Sequence, residues 1–140
     1  IADGIDHAMT ASSFVSLSLE PPLVLVCVER DSRFHEAIAM ATHWGVSILG
    51  EGQEECARWF ATRGRPLEGQ LDKVDHLRGE SGVALIAGAI GHVQCRTVDI
   101  HPAGDHDIVI GEVVDLAASE GSPLVYFRAR YRSLGQIDLP

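Results

Sequence analysis

Thr10, Ser12 and Ser13 stand together in the run Met9-Thr10-Ala11-Ser12-Ser13-Phe14. Small side chains there leave the backbone amides open, so a flat or anionic ligand could approach the main chain closely and take hydrogen bonds from amides and hydroxyls. Taken by itself, the run reads first as a hydroxyl-rich strand edge. A second group, Ser32-Arg33-Phe34-His35, opens a helical stretch. Unpaired amides and the positive dipole end at a helix start suit a phosphate, and Arg33 could add charge-assisted hydrogen bonds. The same residues would serve equally as an N-cap and a solvated charge. A third group, Gly104-Asp105-His106-Asp107, sets a histidine in a turn, where it can stack on or hydrogen-bond to a transient guest. No metal site competes. The seven histidines show no ligand spacing, and Cys27, Cys56 and Cys95 form no Cys-x-x-Cys pair.

These groups need elements to carry them. Val15 to Val26 continues from the hydroxyl run as strand, turn and strand, and Leu23 to Val28 is an apolar run suited to cover on both faces. Phe34, Ala37, Ile38 and Ala41 fall on one helical stripe, with Asp31 or Ser32 as N-cap. Trp44 to Leu49 reads as a strand, and Gln53 to Arg63 as a second short helix with Glu54 and Glu55 near its positive end. Gly64 to Gly82 is polar and without period, which predicts a long surface loop. Val93 and Cys95 alternate on one parity and Val98 and Ile100 on the other, a phase change that a bulge in one long strand explains. Ile108 to Leu116 and Leu124 to Tyr131 supply the last two strands. Long strands with two short helices and no βαβ rhythm predict a mainly β, antiparallel barrel with helical caps, in one domain over residues 1–140.

Composition narrows the function classes. Eleven basic residues against twenty acidic ones, a net charge of -9, argue against nucleic acid and anionic membrane as partners. An odd number of scattered cysteines fits a reducing cytoplasm, and no apolar run reaches the roughly 18 residues of a spanning helix.

Four segments carry a resemblance. The Thr-Ala-Ser-Ser-Phe run, Ser18-Leu19-Glu20-Pro21-Pro22-Leu23-Val24, Gly104 to Val113, and Pro123-Leu124-Val125-Tyr126-Phe127-Arg128 occur in order. Together they resemble the flavin reductase-like family of FMN-binding split barrels, the reductase components of two-component flavin-dependent monooxygenases, from about Met9 to Arg132. The resemblance implies a split β-barrel that works as a homodimer with flavin sites between subunits. It also implies a helix and a strand ahead of Ile1, since Ile1-Ala2-Asp3-Gly4 reads as the turn of a hairpin whose first strand is missing.

Carried over residue by residue, it implies a flavin site of Met9, Thr10, Ala11, Ser12 and Ser13, of Cys27, Val28 and Glu29, of Ser32, Arg33, Phe34 and His35, and of Phe60 and Ala61. Gly104, Asp105, His106 and Asp107 would receive the nicotinamide, with His106 as the catalytic contact. The chain departs from the family pattern at Phe34, where many relatives carry a second Ser or Thr, and at Val74, where Phe is common. Asp107 replaces a commoner Thr or aromatic, and a carboxylate there should oppose the extra phosphate of NADPH, so the donor reading leans to NADH. The expected function is an NAD(P)H:flavin oxidoreductase that binds FMN, with FAD as the alternative flavin, and passes reduced flavin to a partner monooxygenase. The rival reading is a non-catalytic flavin- or haem-binding carrier or sensor on the same barrel. A pyridoxine-phosphate type oxidase is disfavoured because the sequence shows no cluster of basic residues for a second phosphate.

Overall fold

The computed structural model describes residues 1–134. Alternating apolar residues drive the first hairpin, β1 (Val15–Leu19) and β2 (Pro22–Glu29), joined through a cis Glu20–Pro21 peptide. β2 buries Val24, Val26 and Val28 on one face while Leu23, Leu25 and Cys27 remain half-buried on the other. The continuous apolar run predicts cover on both faces, but one chain covers only one of them. Ahead of the hairpin, Asp3 and Gly4, both at positive φ, close a two-residue turn between Ala2 and Ile5. The sequence predicts this turn at residues 1–4; it lies one residue further on, and glycine and aspartate suit it because they tolerate the left-handed region.

Two long strands, β6 (Gly91–Ala103) and β7 (His106–Ala118), dominate a five-stranded antiparallel sheet in the order β1-β2-β7-β6-β3, where β3 is His43–Ile48. The predicted phase change is present. Thr97 pairs with Gly111 and Asp99 with Ile110, leaving Val98 as an extra residue in β6, and a second shift falls between Gln94 and Cys95. Such bulges bend and twist the strands that carry them. The core gathers Val24, Val26, Val28, Ile38, Trp44, Cys95 and Val109. Each fully buried valine contributes roughly 1.5–3 kcal/mol of apolar transfer.

α1 (Arg33–Met40) starts at Ser32, whose hydroxyl accepts from the His35 N–H at 3.2 Å as an N-cap, and it buries Ala37 and Ile38. α2 (Glu54–Ala61), entered through a 3-10 turn at Glu51–Gln53, buries Ala57 and Phe60. Two expectations need correction. The 64–82 loop contains β4 (His76–Arg78), which pairs with β5 (Ala84–Ile86). A three-residue strand exposed at every position, as β4 is, leaves no period to read. The expected strand from Leu124 to Tyr131 is a hairpin of β8 (Val125–Phe127) and β9 (Arg130–Arg132), reversed at Arg128 and Ala129 with φ of 51° and 58°. Neither residue announces a left-handed turn, so the reversal is invisible in the sequence.

Candidate functional site

A cleft of about 570 Å³ opens between the Met9–Ser13 segment, the start of α1 and the end of α2. It gathers Met9, Thr10, Ala11, Ser12, Ser13, Cys27, Glu29, Ser32, Arg33, Phe34, Phe60, Ala61 and His106. Residues from five separate places in the chain thus meet as expected. An adjoining apolar cleft of about 410 Å³ shares Met9, Thr10, Ala11, Ser12, Phe34 and Phe60 as a common wall.

Two of the three hydroxyls, those of Thr10 and Ser13, bond the protein itself. Thr10 donates its hydroxyl to the Ala57 carbonyl of α2 at 2.7 Å. Ser13 Oγ donates to the Cys27 carbonyl at 3.0 Å and accepts from the Cys27 N–H at 3.2 Å. Both side chains therefore fasten the segment to its neighbours. What they leave open is the main chain: among the described residues, no hydrogen bond engages the N–H of Ala11, Ser12 or Ser13, and Ala11 and Ser12 are exposed. A row of unpaired amides beside a cleft is the donor set that a ring carbonyl or a phosphate oxygen requires.

Other expected residues lie off the cleft. Val28 is fully buried in the core, because β2 alternates and its neighbours Cys27 and Glu29 take the outward side. Ser32 lines the cleft, but its hydroxyl is spent on the protein, donating to the Glu29 carbonyl at 2.7 Å as well as capping α1. His35 and Asp107 are bonded to each other, with His35 Nε2 donating to Asp107 Oδ2 at 2.7 Å. Arg30 Nε donates to Asp107 Oδ1, also at 2.7 Å, and these two partners hold the Asp107 carboxyl below the usual carboxylate range. Asp107 is thus neutralised from within and cannot act as the free charge expected of it. Gly104 and Asp105 occupy the exposed β6–β7 turn, with Gly104 at φ 69°.

His106 reaches the cleft wall, and its Nδ1 lies 2.7 Å from Asp105 Oδ1. The histidine's hydrogen bond holds the Asp105 carboxyl low, so the carboxylate only accepts and Nδ1 carries the proton. Nε2 is then the ring nitrogen without a partner among the described residues.

Sequence reasoning missed Arg65. Its guanidinium donates to the Thr62 carbonyl at 2.9 Å, to Gln70 Oε1 at 3.2 Å and to the Ala8 carbonyl, and it lies 5.7 Å from the centre of the Phe60 ring. One side chain so ties the cradle, the end of α2 and the loop beyond it. Burial, and then the neighbouring Arg33, lower its affinity for its proton. Arg33 donates to the Arg65 carbonyl at 2.6 Å, and Arg63 pairs with Glu29 at 3.0 Å. Arg33, Arg63 and Arg65 all line the cleft, a basic cluster that the sequence scatters over thirty-odd positions. Its available signal was Arg63-Gly64-Arg65 directly after the second helix. Among the described residues, no group of His, Cys, Asp and Glu is placed to hold a metal ion.

A family model described as a flavin reductase like domain matches residues 2–135. An NADH-dependent FAD reductase of Streptomyces globisporus is 47% identical over 110 residues, covering 77% of this chain and 60% of that protein. The reductase component of a 4-nitrophenol 4-monooxygenase/4-nitrocatechol 2-monooxygenase of Rhodococcus opacus is 40% identical over 129 residues, covering 92% of this chain and 68% of that one. Among solved structures, an NADH:FAD oxidoreductase of Streptomyces globisporus superposes with a TM-score of 0.88 at 38% identity, covering 97% of this chain and 82% of that one. The chain therefore spans between about three-fifths and four-fifths of these relatives' lengths.

Proposed function

Because the chain belongs to the flavin reductase-like family, we propose that it is an NAD(P)H-dependent flavin reductase that supplies reduced flavin to a partner oxygenase. The observation that carries this reading is the row of unpaired amides at Ala11–Ser13, which shares one cleft with three arginines and His106. That donor set fits a flavin. The Ala11–Ser13 amides would hold ring or ribityl oxygens, the apolar wall at Phe34 and Phe60 would bed the ring, and the α1 start with Arg33 would take the phosphate. A flavin held there would supply the hydride-accepting and electron-passing chemistry. The chain's own task is positioning, since reacting atoms must come within about 3–3.5 Å. His106 would meet the nicotinamide through Nε2, held in orientation by Asp105. No side chain needs to take a proton for the transfer.

Arg63 and Arg65 extend the cationic wall beyond Arg33, which suits a diphosphate as well as a monophosphate, so FMN and FAD both remain readings of this cleft. NADH as the donor rests on relatives named as NADH-dependent and no longer on Asp107. A homodimer is supported by the half-buried apolar face of β2 and by exposed Val15, Leu17, Val114 and Leu116 on the sheet. A cytoplasmic location is supported by three free cysteines. No described helix is long and apolar enough to cross a membrane.

Anaerobic stopped-flow absorbance of the full-length protein with FMN or FAD, mixed with NADH or NADPH, tests the reading. Rapid loss of the oxidised flavin band is expected, slowed about tenfold or more by His106→Ala. Tight flavin binding with reduction no faster than free flavin would instead put the carrier or sensor first.

A further inference from the structure

Asp107 lies off the cleft, yet it joins the two ends that the proposed ligands would occupy. Its side chain is 13% exposed and uses both carboxylate oxygens, Oδ1 for Arg30 and Oδ2 for His35, each at 2.7 Å. Arg30 stands in the corner between β2 and α1, and His35 in the first turn of α1. Asp107 itself is the second residue of β7, next to His106, and pairs with Val28 on one side and Pro102 on the other. The Arg30 N–H also donates to the Asp105 carbonyl at 3.0 Å. One carboxylate thus clasps the turn that carries His106 to the corner that carries Ser32 and Arg33. Neither strand neighbour offers a polar side chain that could replace it.

We propose that Asp107 is a positioning residue which, through Arg30 and His35, holds the anion end and the His106 end of the cleft as one unit, so that both ligands depend on it. This rests on the proposed reductase reading for the identity of those ligands. The physical ground is that a charge-assisted pair of bonds from one carboxylate fixes direction as well as distance. Its loss leaves Arg30 and His35 free to move with the corner, and the β7 turn loses its tie to α1.

The test uses equilibrium binding to the full-length protein, with FMN followed by fluorescence quenching and NAD+ by calorimetry. Asp107→Asn and His35→Ala should each weaken FMN and NAD+ together, by about five- to tenfold. His35→Gln, which keeps an N–H donor of similar reach, should stay within about twofold of the parent for both ligands. Arg30→Met, which keeps the length of the side chain but has no N–H donor, removes one arm only and serves if Asp107→Asn does not fold. Weakening of one ligand alone, or of neither, would overturn the proposal. So would a loss that His35→Gln fails to rescue, because that marks general damage to the corner. If the parent binds both ligands but does not reduce flavin, the reductase reading falls while these titrations still decide the clasp.

Discussion

Ser13 and Cys27 hold each other by a closed pair of hydrogen bonds, in which the serine hydroxyl donates to the cysteine carbonyl at 3.0 Å and accepts from its N–H at 3.2 Å. The serine thereby stands in for a missing strand partner at this point of β2. It also fixes where the Ala11–Ser13 amides face, since that segment lies outside any ladder.

Ser13→Ala removes both bonds and leaves a half-buried N–H and C=O without their partner. The expected cost is about 1–2 kcal/mol of stability, read by urea denaturation. Flavin affinity should fall as well, because the amide row loses its anchor. An unchanged midpoint and unchanged flavin titration would show that the pair does not hold the cradle.

Gly111 lies under the Trp44 indole. A Cβ there would stand 2.6 Å from Trp44 Cζ2 and 2.8 Å from the Cys95 Cβ. Gly111→Ala should therefore cost about 1–3 kcal/mol or more by overpacking. Trp44 Nε1 is buried without a hydrogen-bond partner among the described residues, so Trp44→Phe removes an unsatisfied donor as it makes room. The double variant should be more stable than the sum of the single losses predicts, and strict additivity in thermal melts would contradict the contact.

The Cys95 thiol is fully buried, and that burial pushes its pKa up to about 12. At pH 8 only about one molecule in ten thousand would carry the thiolate, the form that reacts. A disulfide reagent should leave Cys95 untouched in the folded protein and modify it once guanidinium unfolds the chain. Burial raises Cys56 as well, so its reaction should be slow. Rapid labelling of all three cysteines before unfolding would be incompatible with this core.

Arg78 of the β4–β5 hairpin hydrogen-bonds Asp6 and holds its carboxyl below the ordinary value of 3.8. A depressed carboxylate stabilises the fold above its unfolded pKa, and that contribution drains away as pH falls through the lower folded value. Asp6→Asn should melt below the parent at neutral pH, by about 0.5–1 kcal/mol given the half-exposed arginine. The difference should close as both are acidified below about pH 3.8. A gap that persists or widens in acid would assign the stability to something other than this pair.

The two short helices, the long central strands with a bulge in one of them, and most of the cleft lining were legible in the sequence, because each rests on local period or on a motif. Thr10 to Ser13, Ser32 to Phe34, Phe60 and His106 were placed in this way. Their roles were less legible. The hydroxyls of Thr10, Ser13 and Ser32 turned out to bond the protein itself, and which acceptor lies nearest depends on how β2, α1 and α2 come together. The turn at Arg128 and Ala129 was hidden for a related reason: its strained backbone is set by the pairing of β8 with β9 and not by residue type.

The sequence by itself determined the periodicities, the family resemblance and the net negative charge, all of which are properties of neighbours along the chain. Only the tertiary structure decided that Arg33, Arg63 and Arg65 share one wall, and that Asp107 is already occupied by Arg30 and His35. Those pairings join residues up to 77 positions apart. Electrostatic interaction depends on distance through space, which the folded chain sets and sequence spacing does not.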